Sequence, residues 1–273
     1  DVTKTAIDGI VMAELSREKL RGYSTAADSM VFRQETSDLS AVILDNAHAG
    51  GIWVDGTETS DAHEHTPRVA QQKTHTMVEF KGTLPISKLM FDTNQHDAVG
   101  LMAEKWAANA RRAQDKKSFG LYRDSFSTAQ TADIVSIFNN SHTTVQGRAV
   151  DKLLTASLAE ASLNTAIIAL YEQLDQNGEV GGFMPQTLLV PPALYKAAAI
   201  LLDTELRPST ANNDVNVYSS RYGIELRCSE WLGAVAGGSD TAWFLLGDGH
   251  SVTRWVGAGI ETTLKNWDET TNF

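Results

Sequence analysis

The chain has 273 residues, of which 42% are apolar and 21% are charged, and its formal net charge at pH 7 is −11. This size allows one to two domains with a substantial core, but no apolar run approaches the roughly 18–20 residues needed to cross a bilayer, and no secretory signal pattern opens the chain. The acidic balance argues against tight binding to nucleic acid or anionic membranes, and the single cysteine, Cys228, excludes an intrachain disulfide and fits a reducing cytoplasm.

The first segment, residues 1–35, is predicted to be an arm rather than a domain. It carries one short helical face, formed at spacings of three to four by Ile7, Ile10, Val11 and Leu15. A face this short cannot enclose a core, so the segment needs a partner surface.

The next unusual segment, residues 49–83, is predicted to be a long projecting hairpin. Ile52 and Val54 indicate its first strand, and the second is predicted from the alternation of Thr74, Thr76, Val78 and Phe80. The chain between them, residues 56–72, is polar and long for a loop in a compact domain. Loops of this length are usually functional or mobile. Because isolated two-stranded ribbons are marginally stable in water, this hairpin is expected to lie on a neighbouring subunit.

A long helix is predicted from an N-cap at Asp97 to about Lys117, a rod of roughly 30 Å. Met102, Trp106 and Ala113 mark its predicted apolar face. Lys116 and Lys117 would occupy the last turn, where cations suit the negative end of the helix dipole.

A second helix is predicted to start at a capping box of Ser157 and Glu160 and to stop at Asn177 and Gly178. Its predicted apolar face contains Leu158, Leu163, Ala166, Ile167, Leu170, Tyr171 and Leu174.

Residues 183–246 carry the clearest turn and helix-start signals in the chain. A short apolar strand at 187–190 leads into Pro191 and Pro192, which suit the first turn of a helix over 193–202. Further strands are predicted near 224–230 and 241–246, separated by a glycine-rich turn at 237–240. Cys228 is interpreted as a small buried strand residue.

The best candidate for a metal site is His63, Glu64 and His65, with His75 on the opposite strand, because alternate strand residues face the same side. The pattern is not the helical zinc motif, since Pro67 stands where that motif needs histidine. We interpret these residues as a solvated loop tip.

Other catalytic patterns are weaker still. Asp45, His48 and Asp55 lack a nearby nucleophile, and the segment 22–26 ends in alanine where a serine-hydrolase elbow needs glycine. No phosphate-binding loop occurs. We therefore predict that the chain is not an enzyme and has no catalytic, cofactor-binding or metal-binding residue and no cofactor.

Two further groups of residues have a structural interpretation with an intersubunit alternative. Arg111, Arg112, Lys116 and Lys117 are interpreted as a solvated helix face, or else as an ion-pair patch between subunits, and a nucleic-acid site is disfavoured because no aromatic residues are interleaved. The aromatic residues of the last fifty positions are interpreted as mostly core, although subunit contacts also bury such residues: Trp231, Trp243, Phe244, Trp255 and Trp267.

The chain resembles the major capsid proteins of tailed bacteriophages with the Hong Kong ninety-seven type fold, especially the Mu-like branch found with prohead proteases. The resemblance follows the family's order over most of the chain. It lies in 36–43 (TSDLSAVI), 80–87, 91–94 (FDTN), 139–142 (NNSH) and, most specifically, in 188–192 (LLVPP), 214–218 (DVNVY) and 242–246 (AWFLL).

This resemblance implies an α+β fold with a long spine helix. The implied parts are an N-terminal arm (1–35), an extended loop (49–83), a peripheral domain (36–48, 84–150 and 246–273) and an axial domain (151–245). The family's maturation cleavage would explain a chain that begins at Asp1. Relatives commonly continue past 261–273, and no crosslinking is predicted because Lys73, Lys81 and Lys88 cannot be matched to the lysine that some relatives use.

The implied function is that of a structural protein that self-assembles into the hexamers and pentamers of an icosahedral head enclosing double-stranded DNA. Implied partners are other copies of the chain, the portal, the maturation protease and the scaffold, with packaged DNA in non-specific contact and no membrane. A decoration protein is left open. The protein would reside in the virion after assembly in the host bacterial cytoplasm.

Two alternatives remain open on the sequence. An encapsulin-type compartment has the same fold and protein cargo instead of DNA. A metal-dependent hydrolase would use His63, His65 and His75.

Overall fold

A computed structural model describes residues 32–35, 41–48, 55, 57, 58, 61, 64, 68–86, 96–131, 133–144, 147–204, 216–248 and 252–256. The described residues fall into two compact units. The first contains Met77–Lys117 together with strands near the two ends of the described chain, and the second contains the hairpin before Met77 and the chain from Ser118 to Val252.

In the first unit, two distant segments pair as parallel strands. β1 (Phe32–Glu35) and β9 (Thr253–Val256) are aligned from Phe32 opposite Thr253 to Glu35 opposite Val256. The pair joins residues more than two hundred positions apart, which no local sequence pattern predicts.

The long helix α1 (His96–Arg123) has 28 residues and is therefore about 42 Å long. The predicted helix is confirmed, but its predicted bounds are too short. Asp97 lies inside the first turn rather than before it, and the basic residue of the last turn is Arg123. The prediction that Lys116 and Lys117 compensate the dipole at the helix end is wrong for that reason.

The buried stripe of α1 differs by one position from the predicted one. In the first unit it consists of Val99, Ala103 and Ala107, whereas Met102 is 43% exposed. The two alanines pack against Leu84 and Trp106, which lies on the edge of the stripe. Small side chains let the preceding segment lie close to the helix, and the sequence pattern missed this because it favours large apolar residues.

In the second unit, β2 (Ala41–His48) and β3 (Arg68–Thr76) form an antiparallel ribbon, with Ala41 opposite Thr76 and His48 opposite Arg68. A hairpin is present in this region, but its strands differ from the predicted ones. The first strand, β2, ends before residue 49, and the second ends at Thr76, so the prediction that Val78 and Phe80 belong to it is wrong. These two side chains are 61% and 59% exposed and lie in extended chain without a strand partner. Ile52 and Val54, predicted for the first strand, lie outside the described residues.

The main core of the second unit surrounds β6 (Pro185–Val190). This strand pairs in parallel with β7 (Glu225–Cys228) and antiparallel with β8 (Phe244–Gly247). All four residues of 187–190 are buried, as expected for a central strand covered on both faces. The strands predicted at 187–190, 224–230 and 241–246 are thus confirmed, with small shifts of their ends.

Two helices cover one face of this sheet: α2 (Glu160–Tyr171) and α3 (Pro192–Asp203). The helix predicted over 193–202 is confirmed, with Pro192 in its first turn. The buried residues that these helices share with the sheet are Leu163, Ile167, Leu188, Val190, Ala198, Leu202 and Ile224.

The start of α2 differs from the predicted capping box. The N-cap is Ala159, whose backbone N–H donates a hydrogen bond to Oγ of Ser162 at 2.8 Å. The same hydroxyl donates to the carbonyl of Ser157 at 2.6 Å, so Ser157 participates through its backbone rather than its side chain. The helix ends at Tyr171, earlier than predicted, and Gly178 closes a following turn with a φ of +81°.

The turn predicted at 237–240 is confirmed and depends on its glycines. Gly237 has a φ of +86°, and a Cβ on Gly238 would lie 2.0 Å from the carbonyl oxygen of Leu232. Cys228 is half-buried beside the main core. Burial, together with the charge of Glu230, raises the pKa of its thiol, which therefore stays protonated at neutral pH.

None of the helices in the described ranges is long and apolar enough to cross a membrane.

Candidate functional site

A polar cluster is formed within the second unit by residues of the segment that follows α1 and precedes α2 in the chain. β4 (His142–Thr143) and β5 (Ala149–Val150) form a short antiparallel ladder there. The imidazole of His142, only 5% exposed, has Nδ1 at 2.8 Å from Oδ2 of Asp133 and Nε2 at 3.0 Å from the carbonyl oxygen of Ile137. Both ring nitrogens therefore face hydrogen-bond acceptors.

Both partners of the ring are oxygen acceptors. A carbonyl oxygen and an ionised carboxylate can only accept hydrogen bonds, so the ring binds Asp133 and Ile137 through the nitrogen-bound protons that it carries. Loss of either partner would leave a buried polar group without its hydrogen bond, which is costly.

Asp133 is held ionised by several donors. Burial works against its charge, but hydrogen bonds from the Thr131 hydroxyl, from His142 and from the Val135 backbone N–H outweigh burial, and the pKa of Asp133 lies below its ordinary value of 3.8. Lys152 is also near: burial lowers the pKa of its amine, and the charge of Asp133 partly opposes that effect. The cluster therefore holds one anion between two basic groups.

The cluster is built to hold a loop rather than to transfer protons. A catalytic histidine needs one ring nitrogen free to take a proton from a nucleophile or substrate. Here Nε2 is occupied by a backbone carbonyl and Nδ1 by Asp133. The arrangement ties β4 to the loop that carries Asp133.

The depressed pKa of Asp133 predicts a pH dependence of stability. Its contribution is fully present above about pH 5 and is lost as the pH falls through 3.8 towards the lower pKa of the folded state, because the unfolded chain then binds the proton more readily. Urea unfolding of the unassembled subunit should therefore show a smaller free-energy difference between wild type and Asp133→Asn at pH 3 than at pH 7. An equal difference at both values would contradict this origin of the shift.

The loop held by this cluster presents Ile134 to solvent. Ile134 has a φ of +65° and is 76% exposed. The left-handed region costs a β-branched residue about 1–2 kcal/mol. Backbone bonds close the loop beneath it, from Thr131 N–H to the Val135 carbonyl at 2.9 Å and from Ile134 N–H to the Thr131 carbonyl at 3.1 Å.

An aromatic group and a small pocket lie in the same unit. The ring of Phe244 has its centroid 5.3–5.6 Å from the ring centroids of Phe138, Phe126 and Tyr122. The pocket beside Phe126 and Phe244 holds about 140 Å³, below the several hundred typical of small-molecule sites. Its one cation, Arg123, is bound to both carboxylate oxygens of Asp124 at 2.7 and 3.0 Å. The pocket lacks the convergent free polar groups of an active site.

The residues proposed for a metal site are not brought together in the described structure. His63 and His65 lie outside the described residues. His75 is on β3, where burial and the charge of Lys73 lower the pKa of its ring. Within the part of the chain that is described, no group of three or more His, Cys, Asp or Glu side chains could hold a metal ion.

The other sequence candidates are also dispersed. Asp45 and His48 belong to β2, and Asp55 is an exposed residue outside the strands. The segment 22–26 lies outside the described residues. The sequence showed that these residue types are suitable for catalysis, but it did not show that they lie close together in the fold.

The basic and lysine candidates are mostly solvated or already bonded. Arg112, Lys116 and Lys117 are exposed, while Arg111 donates to Gln114 at 3.2 Å. Among the lysines of the hairpin region, Lys73 donates to the Thr131 carbonyl at 3.3 Å, and Lys81 forms an exposed ion pair with Glu79. Lys88 lies outside the described residues.

Several large apolar side chains of the described residues lie on the surface. Those more than half exposed are Val78, Phe80, Leu101, Ile134, Val180, Met184 and Val235.

The aromatic residues predicted as mostly core differ in burial. Phe244 is buried, while Trp231, Trp243 and Trp255 are half-buried and Trp267 lies outside the described residues.

Sequence reasoning missed the cluster of Asp133, His142 and Lys152 and the exposed Ile134. The separations along the chain match no motif, and Ile134 lies in an ordinary-looking segment. In this region the sequence offered only the family resemblance at 139–142, and that resemblance gave no partner for His142.

Comparisons with known proteins agree with this architecture. The model of a family described as phage capsid protein matches residues 71–272. The structure is similar to that of a bacteriophage JBD30 capsid chain, with a TM-score of 0.59 and 10% sequence identity over 74% of this chain and 89% of that one. No curated protein matches the sequence.

Proposed function

Because the chain belongs to the phage capsid protein family, we propose that it is the major capsid protein whose copies form the hexamers and pentamers of an icosahedral head. The structural role in the capsid follows from the family, and the fold is that of a phage capsid protein. The arrangement of copies and the enclosed double-stranded DNA belong to the proposal.

The family match over residues 71–272 carries this proposal. The hydrogen-bonded pair of Asp133 and His142 is not arranged for catalysis, which agrees with a structural role.

The ribbon of β2 and β3 supports the role proposed for the extended loop. In the described residues it pairs with no third strand, and Thr74, His75 and Thr76 at its base are exposed. Two-stranded ribbons need further packing to be stable in water. We therefore propose that the extended loop begins at β2, earlier than the predicted 49–83, and lies on a neighbouring subunit.

The remaining parts keep their proposed roles. We propose 1–35 as the N-terminal arm, α1 as the spine helix of the peripheral domain, and 151–245 as the axial domain at the centre of each capsomer. The portal, the scaffold and the maturation protease are proposed as assembly partners, and the host bacterial cytoplasm as the place of assembly. Contact with packaged DNA would be non-specific, since a net charge of −11 disfavours tight phosphate binding.

Electron microscopy of the purified protein tests the proposal. We expect shells, rings or tubes that disappear on dilution, because assembly depends on contacts between many weakly associating copies. A monodisperse monomer at high concentration would overturn it.

The contents of particles made in cells test the enclosed cargo. Nuclease-protected double-stranded DNA within particles co-produced with the phage packaging proteins is the expected result. A packaged protein in place of DNA would instead indicate a protein compartment, and stoichiometric zinc lost on changing His63, His65 and His75 would indicate a hydrolase.

A further inference from the structure

We propose that Ile134 is a preformed apolar contact by which one copy of the chain binds a second copy. The inference rests on the proposed function and adds a residue-level contact to it. Three observations carry it: an unfavourable backbone conformation, an exposed apolar side chain, and a loop held by hydrogen bonds to the carboxylate of Asp133.

The conformation of Ile134 is unfavourable within its own subunit. Branching at Cβ makes a φ of +65° more costly for isoleucine than for asparagine or glycine, and burial of the side chain does not offset this cost because 76% of the residue is exposed. Unfavourable backbone conformations of this kind are concentrated at functional sites. The side chain is therefore expected to bury itself in another molecule.

The loop is fixed before any partner arrives. Oδ1 of Asp133 accepts a hydrogen bond from the Val135 N–H at 3.2 Å, and the Val135 carbonyl accepts one from the Thr131 N–H at 2.9 Å. The other carboxylate oxygen of Asp133 is bound to His142 at 2.8 Å. A rigid contact loses little conformational freedom on binding, which strengthens association.

A second copy of the chain is the partner that this surface fits best. Copies with a net charge of −11 repel each other, so contacts between them favour apolar anchors over additional carboxylates. Nucleic acid is disfavoured, because the residue next to Ile134 is the anionic Asp133. In a shell built from copies of one chain, as proposed above, each copy of Ile134 has other copies of the chain nearby.

Variants of Ile134 separate a contact between copies from a role in folding. Ile134→Asn and Ile134→Gly accept the left-handed conformation, so the urea midpoint of the unassembled subunit should stay the same or rise. The concentration needed for assembly, followed by light scattering, should rise about tenfold or more. Ile134→Val should assemble nearly as wild type.

Val180→Asn is the matched control, since Val180 is a β-branched residue that is 66% exposed and lacks a positive φ. The concentration needed for assembly should rise less for Val180→Asn than for Ile134→Asn. Assembly of both Ile134 variants at the wild-type concentration would overturn the proposal.

Cross-linking tests the contact without weakening it. Photo-leucine placed at position 134 should link two chains when illuminated in any associated form of the protein, whether shells, rings or small oligomers. Links confined to one chain within assembled particles would overturn the inference while leaving the proposed function intact. Links between chains in oligomers that never form shells would support the inference and count against the proposed function.

Discussion

Truncation of Leu188 to alanine is expected to lower the unfolding free energy of the unassembled subunit by about 2–5 kcal/mol. Leu188 is fully buried on the central strand β6, opposite Leu226 on one side and Leu245 on the other. The strand is covered on both faces, so neighbouring side chains have little freedom to fill the cavity. Single domains are typically stable by only about 5–15 kcal/mol, so the variant should also accumulate as insoluble protein.

Urea unfolding followed by tryptophan fluorescence measures this loss. Val235→Ala is the control, because Val235 is fully exposed in the single chain and its truncation should change the unfolding free energy by no more than about 0.5 kcal/mol. Equal losses for the two variants would contradict the assignment of β6 to the centre of the main core.

Replacement of Asp133 by alanine is expected to cost about 1–3 kcal/mol at pH 7, because it leaves the buried ring of His142 without its carboxylate partner. The side chain of His142 is 5% exposed and that of Asp133 is 17% exposed, so the lower end of this range applies. The substitution also removes the acceptor for the Val135 N–H and the partner of the Thr131 hydroxyl.

Asp133→Asn is the conservative comparison. It keeps an oxygen acceptor for the backbone but removes the charge, so its loss of unfolding free energy should be smaller than that of Asp133→Ala. Asp133→Ala should also raise the assembly concentration, because the loop that presents Ile134 loses its main support. An Asp133→Ala variant with wild-type stability would contradict the stabilising role assigned to these hydrogen bonds.

These two residues stabilise different parts of the second unit. Leu188 acts through apolar area removed from water, which depends little on pH. Asp133 acts through charge and hydrogen bonds, and its contribution disappears in acid. Acid should therefore weaken the loop of Ile134 before it weakens the main core.

The main core was largely predictable from the sequence because its signals are local. Apolar residues at 187–190, two prolines at the start of α3 and glycines at 237 and 238 each fix the conformation of their own neighbours. Their order along the chain also carried the family resemblance, which the match over residues 71–272 confirms.

Predictions from the sequence failed where the local structure depends on a contact with another residue or strand. β3 ends at Thr76 because its register with β2 ends there, although the alternation of residues continues to Phe80. The stripe of α1 runs through Ala103 and Ala107, where Leu84 of the preceding segment packs against the helix, and hydrophobic spacing does not record such a contact. The start of α2 depends on Ser162, whose hydroxyl reaches back to Ala159 and Ser157.

The sequence by itself determined much of the order of the elements and the apolar segments of the main core, because these rest on local turn and capping signals or on periodic burial, and its motifs carried the resemblance to the family. Only the tertiary structure placed His142 against Asp133 and gave Ile134 its exposed, left-handed conformation. The physical reason is that a buried hydrogen bond depends on the distance between two side chains in space, and a residue's φ depends on the loop closed around it. Neither quantity can be derived from the spacing of residues along the chain.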